Sequence, residues 1–489
     1  MYGIRDRHWN EECGVVGIAA VESAAELASL ALHALQHRGQ ESAGITVADG
    51  HRLTTHKMMG LVADVFDEET TRKLTGGYAI GHVRYSTSGS SHILNAQPLQ
   101  VASHRGTVSL AHNGNLVNAH ELRREMELEG SIFATTSDTE VIQHLLARNR
   151  AATCEDALLE VLPRVKGAYS LVVLTREKLI AVRDPHGFRP LCLGRYRDSY
   201  VVASESCAFD IIGATYLRDI EPGEMVVLGH GELASRFLPQ DVPEKRCVFE
   251  HVYFSRPDST VFGRNVESAR RRSGEILGRE APADADLVCA VPDSSNTAAL
   301  GYARATGLPF ELALIRNHYV GRTFISPAQK VRDMSVRIKF NPVAEVLRGK
   351  RVVVVDDSIV RGTTMRKLVK LIRGAGASEV HLRIASPPVT NPCYYGIDTP
   401  VRNELIASSH TVEEIATYLR VDSLAYLSLP GLLEATGEAD KYCEACFTGN
   451  YAISFAEEAG KDVFDNHAAG MDIPVKPLRP VGKTDGNGS

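Results

Sequence analysis

VVVVDDSIVRGTT, residues 352–364, joins three kinds of residue in one run. Four consecutive valines mark a strand buried on both faces, the habit of a parallel sheet. Asp356 and Asp357 end it. A turn of Ser, Gly and Thr follows, and beyond it Met365, Leu368, Val369 and Ile372 repeat at helical spacing. Strand, small-residue turn and helix in that order predict an α/β unit. Backbone N–H groups of such a turn, with the helix N-terminus, form a cradle for phosphate. Paired carboxylates at the strand end can face sugar hydroxyls and a divalent cation.

The same texture extends upstream through DLVCAVPD (286–293), NTAALGYARATG (296–307) and PFELALI (309–315), an alternation of strand and helix signals. It begins after LPQDVPEKRC (238–247). Before that stretch the chain reads as short strands at 14–20, 42–48, 78–84, 107–111, 169–175 and 178–183, broken by Gly and polar turns. Two helices stand out. AAELASLALHALQHRG (24–39) stops at Gly39, and TSDTEVIQHLLARNR (136–150) is capped by Ser137 or Asp138. Strands joined through turns predict mostly antiparallel sheet with helices packed on it.

Length and composition narrow the function. A chain of 489 residues holds two to four domains. Lys plus Arg number 54 against 60 for Asp plus Glu, a net charge of -6, so no basic excess points to nucleic acid. No segment is apolar for the length of a membrane span. MYGIRDRHWNEE, residues 1–12, has no apolar core of a secretory signal, and a cytoplasmic location is expected. The nine cysteines are an odd number and mostly scattered, which argues against a disulfide framework. No repeat of solenoid period occurs.

In the first half, CGVVGI (13–18), LQHRGQESAG (35–44), GHVRYSTSG (81–89), AHNGNLVN (111–118) and TSDTE (136–140) follow one another. Each alone is weak: a lone Cys is usually packing, and a lone Asn-Gly is usually a turn. Together and in order they resemble the class II glutamine amidotransferases, whose nucleophile is an N-terminal residue. The resemblance implies that Cys13 attacks the glutamine side-chain amide with its own α-amine as base. Asn113 and the Gly114 backbone N–H would form the oxyanion hole. Arg84 would take the substrate α-carboxylate and Asp138 its α-ammonium. An internal Cys13 has only an amide nitrogen, which is no base. Residues 1–12 are therefore expected to be a propeptide cleaved at Glu12–Cys13.

VVVVDDSIVRGTT itself is similar to the 5-phosphoribosyl pyrophosphate (PRPP) loop of the type I phosphoribosyltransferases. The resemblance implies Asp356 and Asp357 as the ribose-diol and Mg²⁺ acids. It implies Ser358, Ile359, Val360, Arg361, Gly362, Thr363 and Thr364 as the 5-phosphate cradle. AVPDSSNTAALGYA (290–303) resembles the pyrophosphate-side loop of that family, with Ser294 on the metal side.

Four cysteines remain to be placed: Cys247, Cys393 and the Cys-x-x-Cys pair Cys443 and Cys446. Zinc, a redox pair or a [4Fe–4S] cluster all fit such residues, and spacing does not choose among them. Cys154, Cys192, Cys207 and Cys289 sit in apolar or mixed contexts and read as packing residues.

A glutaminase followed by a PRPP loop is a specific combination. Residues 13–455 resemble the amidophosphoribosyltransferase family, and KRCVFEHVYFSRPDS (245–259), NPCYYGID (391–398) and YCEACFTG (442–449) match its branch with a propeptide and a [4Fe–4S] cluster. The resemblance implies propeptide 1–12, an α+β N-terminal-nucleophile glutaminase domain (αββα sandwich) at 13–240, an α/β phosphoribosyltransferase domain with the cluster ligands at 241–465, and a flexible tail at 466–489. It implies one Mg²⁺ and one cluster per subunit, a homotetramer, purine nucleotides as feedback inhibitors, and ammonia passed internally between the two sites. RNHYVGRTFISP (316–327) matches the family's mobile loop over PRPP, with Tyr319, Arg322 and Thr323 at its core. Two departures stand out: Ser295 replaces a common Gly, and His318 replaces a usual basic residue. Other class II amidotransferases would need a sugar-isomerase domain or an ATP-pyrophosphatase loop, and neither motif is present. A PRPP-sensing regulator would not need Cys13, Arg84, Asn113 and Asp138.

Overall fold

The computed structural model describes residues 13–85, 92–229, 232–317, 336 and 338–454. The expected propeptide 1–12, Tyr319, Arg322 and Thr323 of the expected loop, and the tail 466–489 lie outside the described residues.

Two antiparallel sheets carry the first half. The seven-stranded sheet has the spatial order Thr215–Asp219, Cys192–Tyr196, Ser199–Ala203, Gly14–Ile18, Tyr78–Arg84, Ser42–Ala48, Leu53–Met59. The six-stranded sheet runs Glu232–Phe237, Glu224–Gly229, Leu179–Arg183, Gly167–Leu174, Gly106–Leu116, Leu99–Ser103. Strand periodicity assigns the layers. Val15 points inward, where it shares a core with Ile80, Val172 and Leu179 of both sheets. Val16 and Ile18 point outward against Ala28, Leu32 and Leu35 of the helix Ala24–Ala34 and its end. On the far side Leu110 and Leu171 pack against Val141, Ile142 and Leu145 of the helix Thr139–Arg148. The layers are helix, sheet, sheet, helix, as expected.

Residues 238–245 form no helix or strand. The second half holds a four-stranded parallel sheet in the order Leu287–Ala290, Arg351–Asp356, Glu379–Ile384, Ser423–Tyr426. The valine run is its second strand and is covered on both faces. Val353 and Val355 join Ile276 and Leu277 of the helix Val266–Glu280. Val352 and Val354 join Met365, Leu368, Val369 and Ile372 of the helix Thr363–Gly374.

Three local expectations needed correction. PFELALI does not extend the parallel sheet. Phe310 makes one bridge to Val288, and Leu314–Arg316 pairs antiparallel with Phe340–Pro342 instead. The strand expected at 107–111 continues to Leu116, so Asn113-Gly114 is strand rather than turn. The cause is register: Asn113, Gly114 and Asn115 pair with Ser170, Tyr169 and Ala168. Finally, of the two expected caps, the Ser137 Oγ accepts from the Thr139 N–H at 3.3 Å, as expected, whereas Asp138 makes no side-chain cap bond. Its carboxylate accepts a hydrogen bond from the Leu116 N–H at 2.9 Å, at the end of that extended strand.

Candidate active sites

The first site lies at the mouth of the strand Gly14–Ile18. Cys13 is buried, and its Sγ donates to the Tyr85 carbonyl at 3.4 Å. Gly14 pairs with Val83, which sets Cys13 beside the end of the strand carrying Arg84. Burial pushes the Cys13 thiol up to about 11. The Tyr85 hydrogen bond and the Arg84 charge pull it down, and the charges of Asp138 and Glu41 push it up. Arg84, Asp138 and Cys13 therefore share one electrostatic neighbourhood. Arg84 is buried and faces Glu41 at 3.4 Å.

Asn113 is buried, and among the described residues neither its Nδ2 nor its Oδ1 has a hydrogen-bond partner. A buried amide left unpaired costs about 1–3 kcal/mol, so this group stands ready for a ligand oxygen. Its strand is tightly held. The Gln97 side chain accepts from the His112 N–H at 2.7 Å and donates to Thr139 Oγ1 at 3.1 Å. The His82 Nε2–H donates to the His112 carbonyl at 3.0 Å, and burial pushes that imidazole down to about 3, which keeps it neutral. Gln97, His82 and His112 were not singled out from sequence. Each is polar and buried, and single-residue reading has no signal for that.

Arg38 ties Cys13 to the second half. Its Nε donates to the Cys13 carbonyl at 3.1 Å, and the rest of its guanidinium binds Glu205 and Glu250. Burial alone would push Glu205 up, but the charges of His37 and Arg38 outweigh it and hold the carboxyl down at about 2. Glu250 also binds Arg189 and belongs to the segment Glu250–Phe254 beyond the junction.

The second site lies where the valine strand ends. Ser294 Oγ donates to Asp357 at 2.6 Å, Ser295 Oγ to Asp356 at 2.9 Å, and Ser358 Oγ to Asp357 at 2.7 Å. Burial pushes both acids up, and the charge of Asp357 adds to the rise at Asp356. Ile359 and Val360 are buried behind the turn. Gly362 caps the helix Thr363–Gly374 at φ +72°, a conformation that favours glycine. The Arg361 side chain pairs with Glu404 through one guanidinium nitrogen. Ser295, noted from sequence only as a departure, proves fully buried and bonded to the acid pair.

The four remaining cysteines gather although they are far apart in sequence. Cys247 pairs directly with Cys443 in a short parallel ladder. Cys446 feels the charges of Cys443, Cys247 and Cys393, and burial pushes it well up. The Tyr395 N–H donates to Cys393 Sγ at 3.3 Å. Among the described residues no three His, Cys, Asp or Glu side chains converge as ligands of one ion.

Comparison with known proteins follows this division. A glutamine amidotransferase domain family matches residues 82–210, and a phosphoribosyl transferase domain family matches residues 270–386. The chain is thus an amidotransferase of two catalytic units. It is 51% identical to the amidophosphoribosyltransferase of Bacillus subtilis over 92% of this chain and 96% of that one. It is also 51% identical to that of Archaeoglobus fulgidus, over 91% and 99%. A solved structure described as the allosteric regulatory enzyme of purine biosynthesis superposes with a TM-score of 0.88 at 50% identity, covering 92% of this chain and 98% of the other. A second, the B. subtilis glutamine PRPP amidotransferase complexed with ADP and GMP, gives 0.88 at 49%, over 92% and 99%. The chain belongs to the amidophosphoribosyltransferase family.

Proposed function

We propose that this enzyme converts glutamine, PRPP and water to 5-phosphoribosylamine, glutamate and diphosphate, the committing step of purine synthesis, in the cytoplasm. The observation that carries the reading is the unpartnered, buried Asn113 amide on a strand bonded to Asp138, in the same chain as a buried acid pair at a parallel strand end.

A thiol near 11 is ionised in only about one molecule in ten thousand at neutral pH, so attack needs a base at the sulfur. Removal of residues 1–12 supplies it as the α-amine of Cys13. The amine takes the thiol proton as Sγ bonds to the amide carbon. Asn113 Nδ2 and the Gly114 N–H receive the oxyanion. Arg84 and Asp138 hold the two ends of glutamine. The protonated amine returns its proton to the departing ammonia, and water then cleaves the thioester to glutamate.

Ammonia passes inside the protein to the second site, where it displaces diphosphate from ribose C1. Asp356 and Asp357 hold the ribose hydroxyls, and the Ser358–Thr364 turn holds the 5-phosphate. Ser294, Asp356 and Asp357 offer the oxygen donors that suit Mg²⁺, which supplies charge neutralisation at the leaving group. Tyr319, Arg322 and Thr323, which lie outside the described residues, are assigned to PRPP by their match to the family's loop.

Cys247, Cys393, Cys443 and Cys446 hold a [4Fe–4S] cluster, one per subunit. The mutual electrostatic influence of these thiols, drawn from three distant segments of the chain, supports one shared group. The assembly is a homotetramer, inhibited by purine nucleotides.

Cys13→Ser tests the core of the reading. Glutamine-dependent synthesis should vanish while ammonia-dependent synthesis persists, because the transfer site lies on another sheet. Glutamine turnover at the wild-type rate by this variant would refute Cys13 as nucleophile.

A further inference from the structure

The oxyanion strand is gripped from the other half of the molecule. Asn115 Nδ2 donates to the Tyr394 carbonyl at 2.9 Å, a contact spanning 279 residues of sequence. Two residues on, Gly396 lies against Gly114: a Cβ at Gly396 would stand 3.1 Å from the Gly114 Cα and 3.2 Å from its carbonyl carbon. A Cβ at Gly114 would in turn come within 2.0 Å of the Ala168 carbonyl oxygen. Gly114 thus lies against both its neighbouring strand and the Tyr394–Gly396 turn. The turn is itself fixed. The Tyr395 ring stacks on Phe188 with centroids 4.1 Å apart, its hydroxyl accepts from the Ile453 N–H at 3.0 Å, and the Cys393 N–H donates to Thr399 at 2.7 Å.

We infer that Asn115 and Gly396 are positioning residues for amide hydrolysis, holding the Asn113–Gly114 oxyanion donors in place from the phosphoribosyltransferase half. The inference rests on the assignment of those two donors. Among the described residues no hydrogen bond or ion pair joins Asn115 or Gly396 to Arg84 or Asp138, the groups that would hold the ends of glutamine. Arg84 sits on another sheet, and Asp138 is fixed by Leu116 and Thr139. Their loss should therefore act on the transition state, where the oxyanion forms, and leave ground-state binding alone.

The experiment compares Asn115→Ala and Gly396→Ala in the full, processed enzyme with both nitrogen donors. Glutamine-dependent kcat should fall by roughly 10–100-fold, the scale of a misplaced transition-state contact. KM for glutamine, ammonia-dependent synthesis and the rate of Cys13 alkylation by a glutamine-shaped electrophile should each stay within about twofold. Asn115→Ala removes only a side-chain bond at a half-buried position, so it answers the question if Gly396→Ala folds poorly. A parallel fall with both donors, a rise in KM alone, or wild-type kcat in Asn115→Ala would overturn the inference. None of these outcomes bears on Cys13 as nucleophile, which Cys13→Ser tests separately.

Discussion

Single side chains in this protein are set by what surrounds them more than by their own chemistry. Asp356 and Asp357 are ordinary carboxyls that burial holds above their usual range, with the charge of Asp357 adding to the rise at Asp356. A carboxyl whose pKa is raised on folding favours the folded state below its unfolded value near 3.9, and that contribution is lost as pH climbs through the raised folded value. Without ligands, the pair therefore costs stability at neutral pH. Asp356→Asn keeps an oxygen for Ser295 and the Asp357 N–H but removes the charge. Its melting temperature in the absence of Mg²⁺ and PRPP should exceed wild type at pH 8, with the gain shrinking toward pH 4, while PRPP use fails with either nitrogen donor. A lower melting temperature at pH 8 would show that the charge is already compensated in the free protein.

Elements place these side chains by how they start and stop. The helix Thr363–Gly374 begins at Gly362, whose φ of +72° lies in the left-handed region that favours glycine. Alanine there carries a backbone penalty of about 1 kcal/mol, and its Cβ would lie 3.2 Å from Ile406 Cδ1. Gly362→Ala should therefore raise KM for PRPP several-fold while glutamine hydrolysis at the first site changes little. Unaltered PRPP kinetics would place the phosphate away from this turn. The strand Gly106–Leu116 makes a similar point. Asn-Gly is a turn signal in isolation, yet eight consecutive pairs with Gly167–Leu174 keep it extended and deliver the Asn113 amide to a dry site.

Across the whole molecule, long-range polar contacts join the halves. Arg38 spans Cys13 of the first half and Glu250 of the second, and removing one partner of such a buried pair costs about 3–5 kcal/mol. The gathered cysteines form a second tie, joining segments near 247, 393 and 443–446. If they bind a cluster, its binding energy is folding energy. Anaerobically purified protein should be brown with about four irons per chain, and air should bleach it as structure and activity decline. Ser at any of the four positions should lower the melting temperature and the yield of mature protein, whereas Cys154→Ser should be mild. Stoichiometric zinc without iron would replace the cluster with a single-ion site and leave the reaction untouched.

Much of this was legible from local pattern. The valine run, the acid pair and the periodic helix behind them are contiguous, so composition and period identify them wherever the chain folds. The same holds for the strands at 42–48 and 78–84, which stand where short runs bounded by Gly and polar turns placed them. Cys13, Arg84, Asn113 and Asp138 could be nominated because their motifs occur in order. Tertiary structure alone decided which groups lose water and what they meet instead. It left Asn113 unpaired, turned Asp138 from helix cap to strand anchor, gave Ser295 to Asp356, and set Tyr394 on Asn115. Those outcomes depend on residues tens to hundreds of positions apart meeting in a low-dielectric interior, where an unmet hydrogen bond or an unpaired charge is costly and local sequence carries no record of the partner.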